Sequence, residues 1–343
     1  MKSDALIISL AYPDTFVCVS QEFICKVLPI IGVGTKEYLK AGHAALVLIR
    51  KADGEAFYFD FGRYITPLGS GRVRSSRTDA ELVIPIKADF DENENLSNLE
   101  DFLIFLEANP EKTHGKGKLI ASVSNDIHFE SAWRYIYELQ ALGSIPYGGF
   151  IKHGSNCSRF VTDSLYQATT RETVKKGLEK IKRFTPSPLG NVAYGCTDGN
   201  MFEVENGIIR AYKRNTTLHN LENFFDRNNP EWNTLKVERK APHPDAQYLD
   251  GIGSGAWFLL TTFDTSHNLY RIRRFNDAGV LDFDGVFSVD KPNFSADKSF
   301  TFIYDSHCLY CHVAQEGNTY RFDFIRQTAV ENAINLTQKV RSA

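Results

Sequence analysis

Residues 41–62, AGHAALVLIRKADGEAFYFDFG, form the clearest hairpin pattern in the chain. Apolar, β-branched and aromatic residues flank Asp53 and Gly54, a pair typical of a two-residue turn between antiparallel strands. Because side chains alternate between the two faces of a strand, His43 and Asp60 then lie on the same face. The hairpin is therefore predicted to present a histidine and a carboxylate on one surface.

The length of the turn decides which residues of the two strands face each other. A two-residue turn places Val47 opposite Asp60. A bulge or a longer turn changes this register, and Glu55 or Tyr58 is then the alternative partner of His43.

The first half of the chain mixes strand and helix periodicity. Alternating or continuous apolar runs predict strands at 5–12, 15–19, 24–31, 43–50, 56–61 and 82–86. Apolar residues at helical spacing predict helices at 98–109, 130–143 and 156–167, with a charged helical continuation after Thr170. The pattern indicates an α+β fold in which helices accompany an antiparallel sheet.

The second half changes to short strands separated by turns. The segment TPSPLG at 185–190 interrupts the helical pattern, so we place a domain boundary between 185 and 186. Asn206 and Gly207 lie between apolar alternations and predict a hairpin. Further strand patterns reach residue 325, with one helical insertion near 218–227. Residues 186–343 are thus predicted to form a mostly β domain.

Composition excludes several classes of protein. The 343-residue chain has a formal net charge of −3 and a pI near 6.3, so no general attraction to nucleic acid is expected. Apolar runs are too short for a membrane span. Residues 1–16 read as a first strand, with no cleavage site of a signal peptide. The six cysteines are accordingly predicted to be reduced thiols in a cytoplasmic protein.

A candidate nucleophile opens the helix at 156–167. Ser155 or Asn156 is a suitable N-cap, which places Cys157 in the first helical turn. The unpaired amides and the positive end of the helix dipole favour a thiolate at that position. A nearby imidazole would complete the activation of the sulfur.

The motif NCxxFV at 156–161, with GHA opening a strand at 42–44, resembles the circularly permuted branch of the papain-like (NlpC-like) superfamily. That branch includes lecithin retinol acyltransferase-like enzymes and bacterial thiol hydrolases. In it the histidine strand precedes the cysteine helix. The resemblance implies a permuted papain-like domain over residues 1–185, followed by the β domain.

The same resemblance assigns roles to residues. It implies that Cys157 is the nucleophile, that His43 is the general base, and that a polar residue on the next strand, Asp60 or Glu55, orients the imidazole. The chain departs from the acyltransferases at 158–159, where Ser-Arg replaces their Glu-His. His128 and His153 are alternative bases. A non-catalytic binding module that keeps the fold is the alternative function.

Two further segments are predicted to contact the substrate. Arg63, Arg72 and Arg74 lie close together in a glycine-containing stretch, and a loop of this kind suits a carboxylate or phosphate. Tyr147 and Gly148 begin the segment YGGF, whose amides could approach a developing oxyanion. We therefore expect a small peptide-like or acyl substrate, including an anionic one.

Cys308, Cys311 and His312 satisfy the pattern for covalent haem attachment. Without a signal segment, and with strand patterns on both sides, this context argues for packing rather than for haem or zinc. No cofactor and no metal are expected.

Overall fold

The computed structural model describes residues 3–19, 22, 27–228 and 239–328. The chain divides into two compact units, which confirms the predicted two-domain α+β class. The first unit contains Met1–Arg63, Leu68–Ser76 and Glu81–Lys236, and the second contains Tyr64–Pro67, Arg77–Ala80 and Val237–Ala343. The position predicted for the boundary, between 185 and 186, lies inside the first unit.

The first unit is built on one antiparallel sheet of eight strands, in the order β10-β9-β7-β1-β4-β5-β6-β8. The strands of the unit, including a separate pair formed by β2 and β3, are β1 (Ala5–Tyr12), β2 (Val17–Cys18), β3 (Tyr38–Leu39), β4 (His43–Arg50), β5 (Ala56–Gly62), β6 (Ser70–Arg74), β7 (Leu119–Ile127), β8 (Ile145–Pro146), β9 (Met201–Glu205) and β10 (Ile208–Ala211).

Seven α-helices are described, all in the first unit: α1 (Leu99–Glu107), α2 (Pro110–Thr113), α3 (Phe129–Ala141), α4 (Cys157–Ala168), α5 (Glu172–Lys182), α6 (Pro188–Gly195) and α7 (Thr216–Phe224). A strand was predicted at 24–31, but Leu28–Ile31 forms a 3₁₀ helix, with Pro29 in its first turn. Proline lacks the amide hydrogen that a strand would use and suits the start of a helix. Residues 24–26 lie outside the described residues.

Both faces of the sheet are covered, as the alternation of β4 illustrates. Ala44, Leu46 and Leu48 pack in one apolar cluster with α3, α4 and α5. Ala45 and Val47 pack in the opposite cluster, with α1. This double burial explains why β4 reads as a continuous apolar run in the sequence.

The β4–β5 hairpin has a longer turn than predicted. Arg50 pairs with Glu55 across a four-residue loop, because the Arg50 amide donates to the Glu55 carbonyl at 2.9 Å. Asp60 is therefore opposite Ala45 rather than Val47. The shift of two residues leaves every side chain on its predicted face. It also brings Asp60 closer to His43, because Ala45 is two residues from His43 whereas Val47 is four residues away.

Gly54 explains the longer turn. Its φ of +71° lies in the left-handed region, and a Cβ at this position would stand 2.4 Å from the Ala88 carbonyl oxygen. The turn therefore lies against residue 88, whose amide donates to the Gly54 carbonyl at 2.8 Å.

A central strand, β7, was not predicted. It lies between β1 and β9 and contains Ser122 and Ser124, whose hydroxyls donate to the Val192 and Gly195 carbonyls. These serines are buried by hydrogen bonding rather than by apolar character, so the strand has a weak hydrophobic pattern. The hairpin predicted at Asn206 and Gly207 is present, and β9 pairs with β7. The sheet consequently continues past residue 185.

The second unit is a seven-stranded antiparallel sheet, in the order β11-β12-β13-β14-β17-β16-β15. Its strands are β11 (Gln247–Leu249), β12 (Ala256–Asp264), β13 (Leu269–Phe275), β14 (Leu281–Val289), β15 (Thr301–Ile303), β16 (Tyr310–Gln315) and β17 (Asn318–Gln327). Gln247 belongs to β11, the first strand in this order, and β15 is the last. The Gln247 side chain bonds to the Phe302 amide within β15 and to the Phe300 carbonyl just before it. The unit is accordingly close to a closed barrel, and its mostly β character is confirmed.

Among the described residues, no helix is long and apolar enough to cross a lipid bilayer.

Candidate active site

Cys157 is the first residue of α4, as predicted. The Asn156 side chain caps the helix, because its Oδ1 accepts a hydrogen bond from the Arg159 amide at 2.8 Å. Asn at this position satisfies one of the amides that a helix start leaves without an intrahelical partner. Cys157 itself is 6% exposed. Its sulfur therefore lies where the partial positive charge of the helix is greatest.

His43 begins β4 and lies beside Asp60. The His43 Nε2 atom is 3.5 Å from Asp60 Oδ2, and both side chains are buried. The β4–β5 ladder ends at Ala45 and Asp60, so the first residues of β4 are not covered by β5. At this open end the Ala44 amide and the His43 side chain both bond to Cys157. The hairpin and the helix thus bring together the three residues predicted for catalysis.

Asp60 has two further partners. Arg74 of β6 donates from Nε to Asp60 Oδ1 at 2.9 Å and from Nη2 to Oδ2. The Tyr58 hydroxyl donates to Oδ2 at 3.1 Å. Burial raises the pKa of Asp60, but the charges and hydrogen bonds of Arg74 and His43 outweigh it and lower the pKa well below its ordinary value. Asp60 is consequently a carboxylate.

The thiol and the imidazole stabilise each other's charged form. Burial raises the pKa of the Cys157 thiol, but the hydrogen bond and charge of His43 outweigh it, so that the net shift is downward. Burial lowers the pKa of His43, but its hydrogen bonds with Asp60 and Cys157 raise it to about 9. The pair therefore favours the thiolate and imidazolium over the neutral thiol and imidazole.

Tyr147 lies against Cys157. Its hydroxyl is in hydrogen-bond contact with both the sulfur and the backbone amide of Cys157. Burial and the nearby charge of Cys157 raise the pKa of Tyr147 well above its ordinary value, so the phenol keeps its proton. The ring stacks on Phe61, and Arg63 lies over it at 4.6 Å from the ring centroid. A neutral hydroxyl donor is thus fixed beside the sulfur.

A cavity of about 600 Å³ within the first unit opens onto Cys157. Its lining is mostly apolar, and the larger side chains include Leu28, Leu39, Phe150, Phe184, Leu221 and Phe224. A few hydroxyl and amide side chains also line it, namely Thr35, Thr185, Ser187, Thr217 and Asn220. The described lining contains no lysine, arginine or histidine. Glu22 is its one carboxylate. The volume is in the range of small-molecule sites, and the chemistry of the wall favours an apolar group.

The loop after Tyr147 is held from two sides. The Glu22 carboxylate accepts the amides of Gly149 and Phe150 at 3.1 and 2.7 Å. The Arg159 guanidinium donates to the carbonyls of Gly149, Ile151 and Gly154. The Gly148 amide donates to the Ser155 carbonyl at 3.0 Å. Gly148 lines the cavity, but the amides of residues 148–150, expected to approach an oxyanion, donate to groups of the protein itself.

The arginines predicted to bind the substrate do not line the cavity. Arg72 and Arg74 are 2% and 1% exposed, because residues 70–74 form β6 rather than a flexible loop. Arg74 pairs with Asp60, and Arg63 donates to the Cys18 carbonyl at 2.7 Å. Arg63 and Arg74 thus bond to groups of the protein itself, and their position gives no support to the expectation of an anionic substrate.

The alternatives left open by the sequence are placed elsewhere. Glu55 lies at the hairpin turn and pairs with Arg50 at 2.6 Å, so Asp60 is the carboxylate beside His43. His128 caps α3 by accepting the Ser131 amide, and His153 is exposed. His43 differs from both because it contacts Cys157 and Asp60.

The cysteine pair near the C-terminus lies in the apolar core of the second unit. Cys308 and Cys311 are 3% and 0% exposed, and both pack in the cluster that the seven strands enclose. Among the described residues, no group of three or more histidine, cysteine or acidic side chains is arranged to hold a metal ion.

The sequence did not reveal two parts of the site. Tyr58 was considered only as a substitute for Asp60, whereas its hydroxyl donates a hydrogen bond to a carboxylate oxygen of Asp60. The described cavity walls come from 17–19, 22, 28–42, 147–158, 184–188 and 217–224, which no local pattern connects. One signal was available, since Ile31, Phe184 and Leu221 are apolar residues in segments with turn-like or polar neighbours.

The fold and the site define a class: an α+β protein with a buried cysteine, histidine and aspartate in contact with one another, and with the cysteine at the wall of a largely apolar cavity. Residues 7–174 match the sequence model of a family described as Type VI secretion system effector TseH-like. Residues 246–325 match the model of the DUF6695 C-terminal domain.

One solved structure is similar to this chain. It is the crystal structure of the Type VI secretion system effector TseH, at 17% sequence identity and a TM-score of 0.42, covering 62% of this chain and 99% of that chain. No curated protein matches the chain.

Proposed function

We propose that the first unit is a cysteine hydrolase or acyl transferase in which Cys157 attacks a carbonyl carbon and carries the acyl group as a thioester. The observation that carries the proposal is the contact of Cys157 with His43 and of His43 with Asp60, with Cys157 at the wall of the cavity. The match of residues 7–174 to the TseH-like family agrees with it at a coarse level. The order of β4 before α4 supports the permuted papain-like class.

In the first half of the reaction, the Cys157 thiolate forms a carbon–sulfur bond to the carbonyl carbon. The developing oxyanion accepts hydrogen bonds from the Cys157 amide and the Tyr147 hydroxyl, the two donors that the site places beside the sulfur. Collapse breaks the bond to the leaving group, which takes its proton from the His43 imidazolium.

In the second half, neutral His43 takes a proton from water or from an acceptor alcohol or amine. The resulting nucleophile attacks the thioester, and the carbon–sulfur bond breaks to release a carboxylic acid or the transferred acyl product. The sulfur leaves as thiolate, and His43 is again imidazolium. Asp60 keeps the ring aimed at the sulfur throughout.

The cavity supports a substrate with a large apolar acyl group. Its described walls carry no basic side chain, and the Glu22 carboxylate already bonds to two amides. A cell-wall peptide would find no basic side chain for its carboxylates there, and the mostly apolar wall offers few partners for its other polar groups. Apolar chains lose nothing there, and each buried methylene adds about 0.8 kcal/mol.

A series of p-nitrophenyl esters from acetyl to dodecanoyl tests the proposal. We expect kcat/KM to rise at least about tenfold from acetyl to octanoyl, since several methylenes become buried. Mass spectrometry of the quenched reaction should locate the acyl group on Cys157. Cys157→Ala should abolish both signals.

Cys196→Ala is the matched control, because Cys196 is a half-buried thiol outside the cavity whose pKa is raised by burial. It should leave the rates unchanged. If no ester in the series acylates Cys157 and Cys157→Ala hydrolyses them as fast as the unmodified protein, the binding-module alternative is correct instead.

The described cysteines support the predicted compartment. Cys18, Cys157, Cys196, Cys308 and Cys311 form no disulfide, in agreement with folding in the reducing cytoplasm. The similarity to a secretion-system effector supports a further step, in which secretion brings the enzyme to its substrate.

A further inference from the structure

We propose that Arg74 is a positioning residue of this site, which keeps the Asp60 carboxylate ionised and aimed at His43 and thereby supports the Cys157 thiolate. The inference rests on the proposed function, because it assigns Arg74 to the same reaction. It replaces the substrate-binding role that the sequence predicted for this arginine.

Arg74 fixes the orientation of the Asp60 carboxylate by bonding to both of its oxygens. Asp60 and Arg74 are direct cross-strand partners in the β5–β6 ladder. The guanidinium contacts both carboxylate oxygens, and its Nη2 also donates to the Lys112 carbonyl at 3.1 Å. A planar fork bonded at three acceptors cannot turn, and the carboxylate bonded to it cannot turn either. Oδ2 is thus held toward His43 Nε2.

The charges of the row alternate in sign. Arg74 is positive, Asp60 negative, His43 positive and Cys157 negative, so the four buried groups sum to zero. A buried charge without a counterion is strongly unfavourable. Arg74 is therefore the charge that allows Asp60 to be ionised while His43 shares its own charge between Asp60 and the sulfur.

Among the described residues, the ionisable groups with contacts to this row include three phenols and one arginine. Tyr12 of β1 and Tyr58 of β5 approach Asp60, and Tyr147 approaches Cys157 with Arg63 above its ring. Burial raises the pKa of Tyr12 and of Tyr147, so both remain neutral. The phenols cannot replace the positive charge of Arg74.

Removing Arg74 should raise the pKa of Cys157 whether or not Asp60 takes up a proton. If Asp60 takes up a proton, His43 loses its counterion and the imidazolium becomes less stable. If Asp60 stays ionised, the row carries a net negative charge that opposes a second anion. Both responses raise the pKa of Cys157, so thiolate reactivity moves to higher pH.

The test is the rate of Cys157 alkylation by iodoacetamide against pH, followed by mass spectrometry in the full chain. For Arg74→Met we expect the midpoint to rise by about one pH unit or more. At pH 6 the rate should fall about tenfold, whereas at pH 9.5 it should stay within about threefold of the unmodified protein. Arg74→Lys keeps the charge but loses the fork, so it should give a smaller rise, of about half a unit.

Arg271→Met is the matched control. Arg271 also grips a carboxylate on a neighbouring antiparallel strand, Asp284, but in the second unit. It should leave the midpoint unchanged. If Arg74→Met does not fold by circular dichroism, Arg74→Lys carries the test. An unshifted midpoint in folded Arg74 variants overturns the inference, whereas a Cys157 that reacts like an unfolded cysteine in the unmodified protein overturns the proposed function.

Discussion

Each side chain that we propose for catalysis depends on a different feature of its local sequence. Cys157 could be predicted from the helix start and its Asn156 cap, and His43 from the opening of an apolar strand. The choice between Asp60 and Glu55 could not, because it depends on a turn length set by the contact of Gly54 with residue 88. Long-range contacts of that kind leave no trace in local spacing.

Arg74 was misinterpreted for a related reason. Three arginines among glycines are typical of an exposed anion-binding loop, and burial of a guanidinium is rare unless it is paired. The partner is Asp60, fourteen residues away on the neighbouring strand. Pairing across a sheet depends on register, so it became visible only with the fold.

At this scale, Asp60→Asn tests the orienting carboxylate. For an alkyl ester, whose alkoxide leaving group needs a proton, we expect kcat/KM of the unmodified protein to decline on the alkaline side with a midpoint near pH 9, because His43 must be protonated to supply that proton and its pKa is raised to about 9. Asp60→Asn removes a negative charge that raises this pKa. The alkaline midpoint should therefore move down, and kcat/KM at pH 7.5 should fall about 100-fold.

Glu55→Gln controls for loss of a carboxylate from the same hairpin. Glu55 contacts Arg50 and is far from His43 in the register, so activity should stay within about threefold of the unmodified protein. Since Asp60→Asn leaves Arg74 buried beside a neutral group, urea unfolding must accompany the assay. Loss of activity in Glu55→Gln, with Asp60→Asn unaffected, would contradict the assignment.

Among the elements, the β4–β5 hairpin carries the site, because its turn sets the register that brings Asp60 to His43. Helices and strands with strong periodicity, such as α3, α4 and β4, could be predicted within a residue or two. The strand β7 could not, because Ser122 and Ser124 are buried by hydrogen bonds that no apolar pattern announces. Its absence from the prediction hid the link between β1 and β9.

The turn can be tested by comparing two glycines with the same backbone conformation. Gly54 and Gly207 both have a φ of +71°, but a Cβ at Gly54 would stand 2.4 Å from the Ala88 carbonyl oxygen, whereas nothing lies within 4 Å at Gly207. Gly207→Ala should lower the free energy of unfolding by about 1 kcal/mol, the cost of the left-handed conformation. Gly54→Ala adds a steric clash and should cost about 2–4 kcal/mol.

Urea unfolding measures both variants. The activity of folded Gly54→Ala should fall as well, because a shifted turn moves Asp60 relative to His43. Equal destabilisation by the two substitutions would mean that the contact with residue 88 does not define the hairpin.

At the scale of the whole molecule, the sequence predicted two domains and their classes, but the compact units divide elsewhere. The first sheet extends through β9 and β10, and the second unit includes the short segments Tyr64–Pro67 and Arg77–Ala80. Within that unit Ile65 packs in the apolar core, and Asp79 pairs with Arg274. Composition shifts along a chain cannot reveal such excursions, because four residues are too few to change the local pattern.

The cavity is also a property of the folded chain. Its walls join segments that are up to about 200 residues apart, so only the nucleophile at one end was foreseeable. The apolar character of those walls is what redirects the expected substrate from an anion to an acyl group.

The pH dependence of Cys157 alkylation measures most directly whether the fold favours the thiolate. Rates for Cys157 in the folded chain are compared with rates for the same residue in the chain unfolded in urea. Because His43 lowers the pKa of Cys157, we expect a lower midpoint in the folded chain. We also expect His43→Ala to remove the difference. A folded midpoint equal to or above the unfolded one would mean that the fold does not activate Cys157.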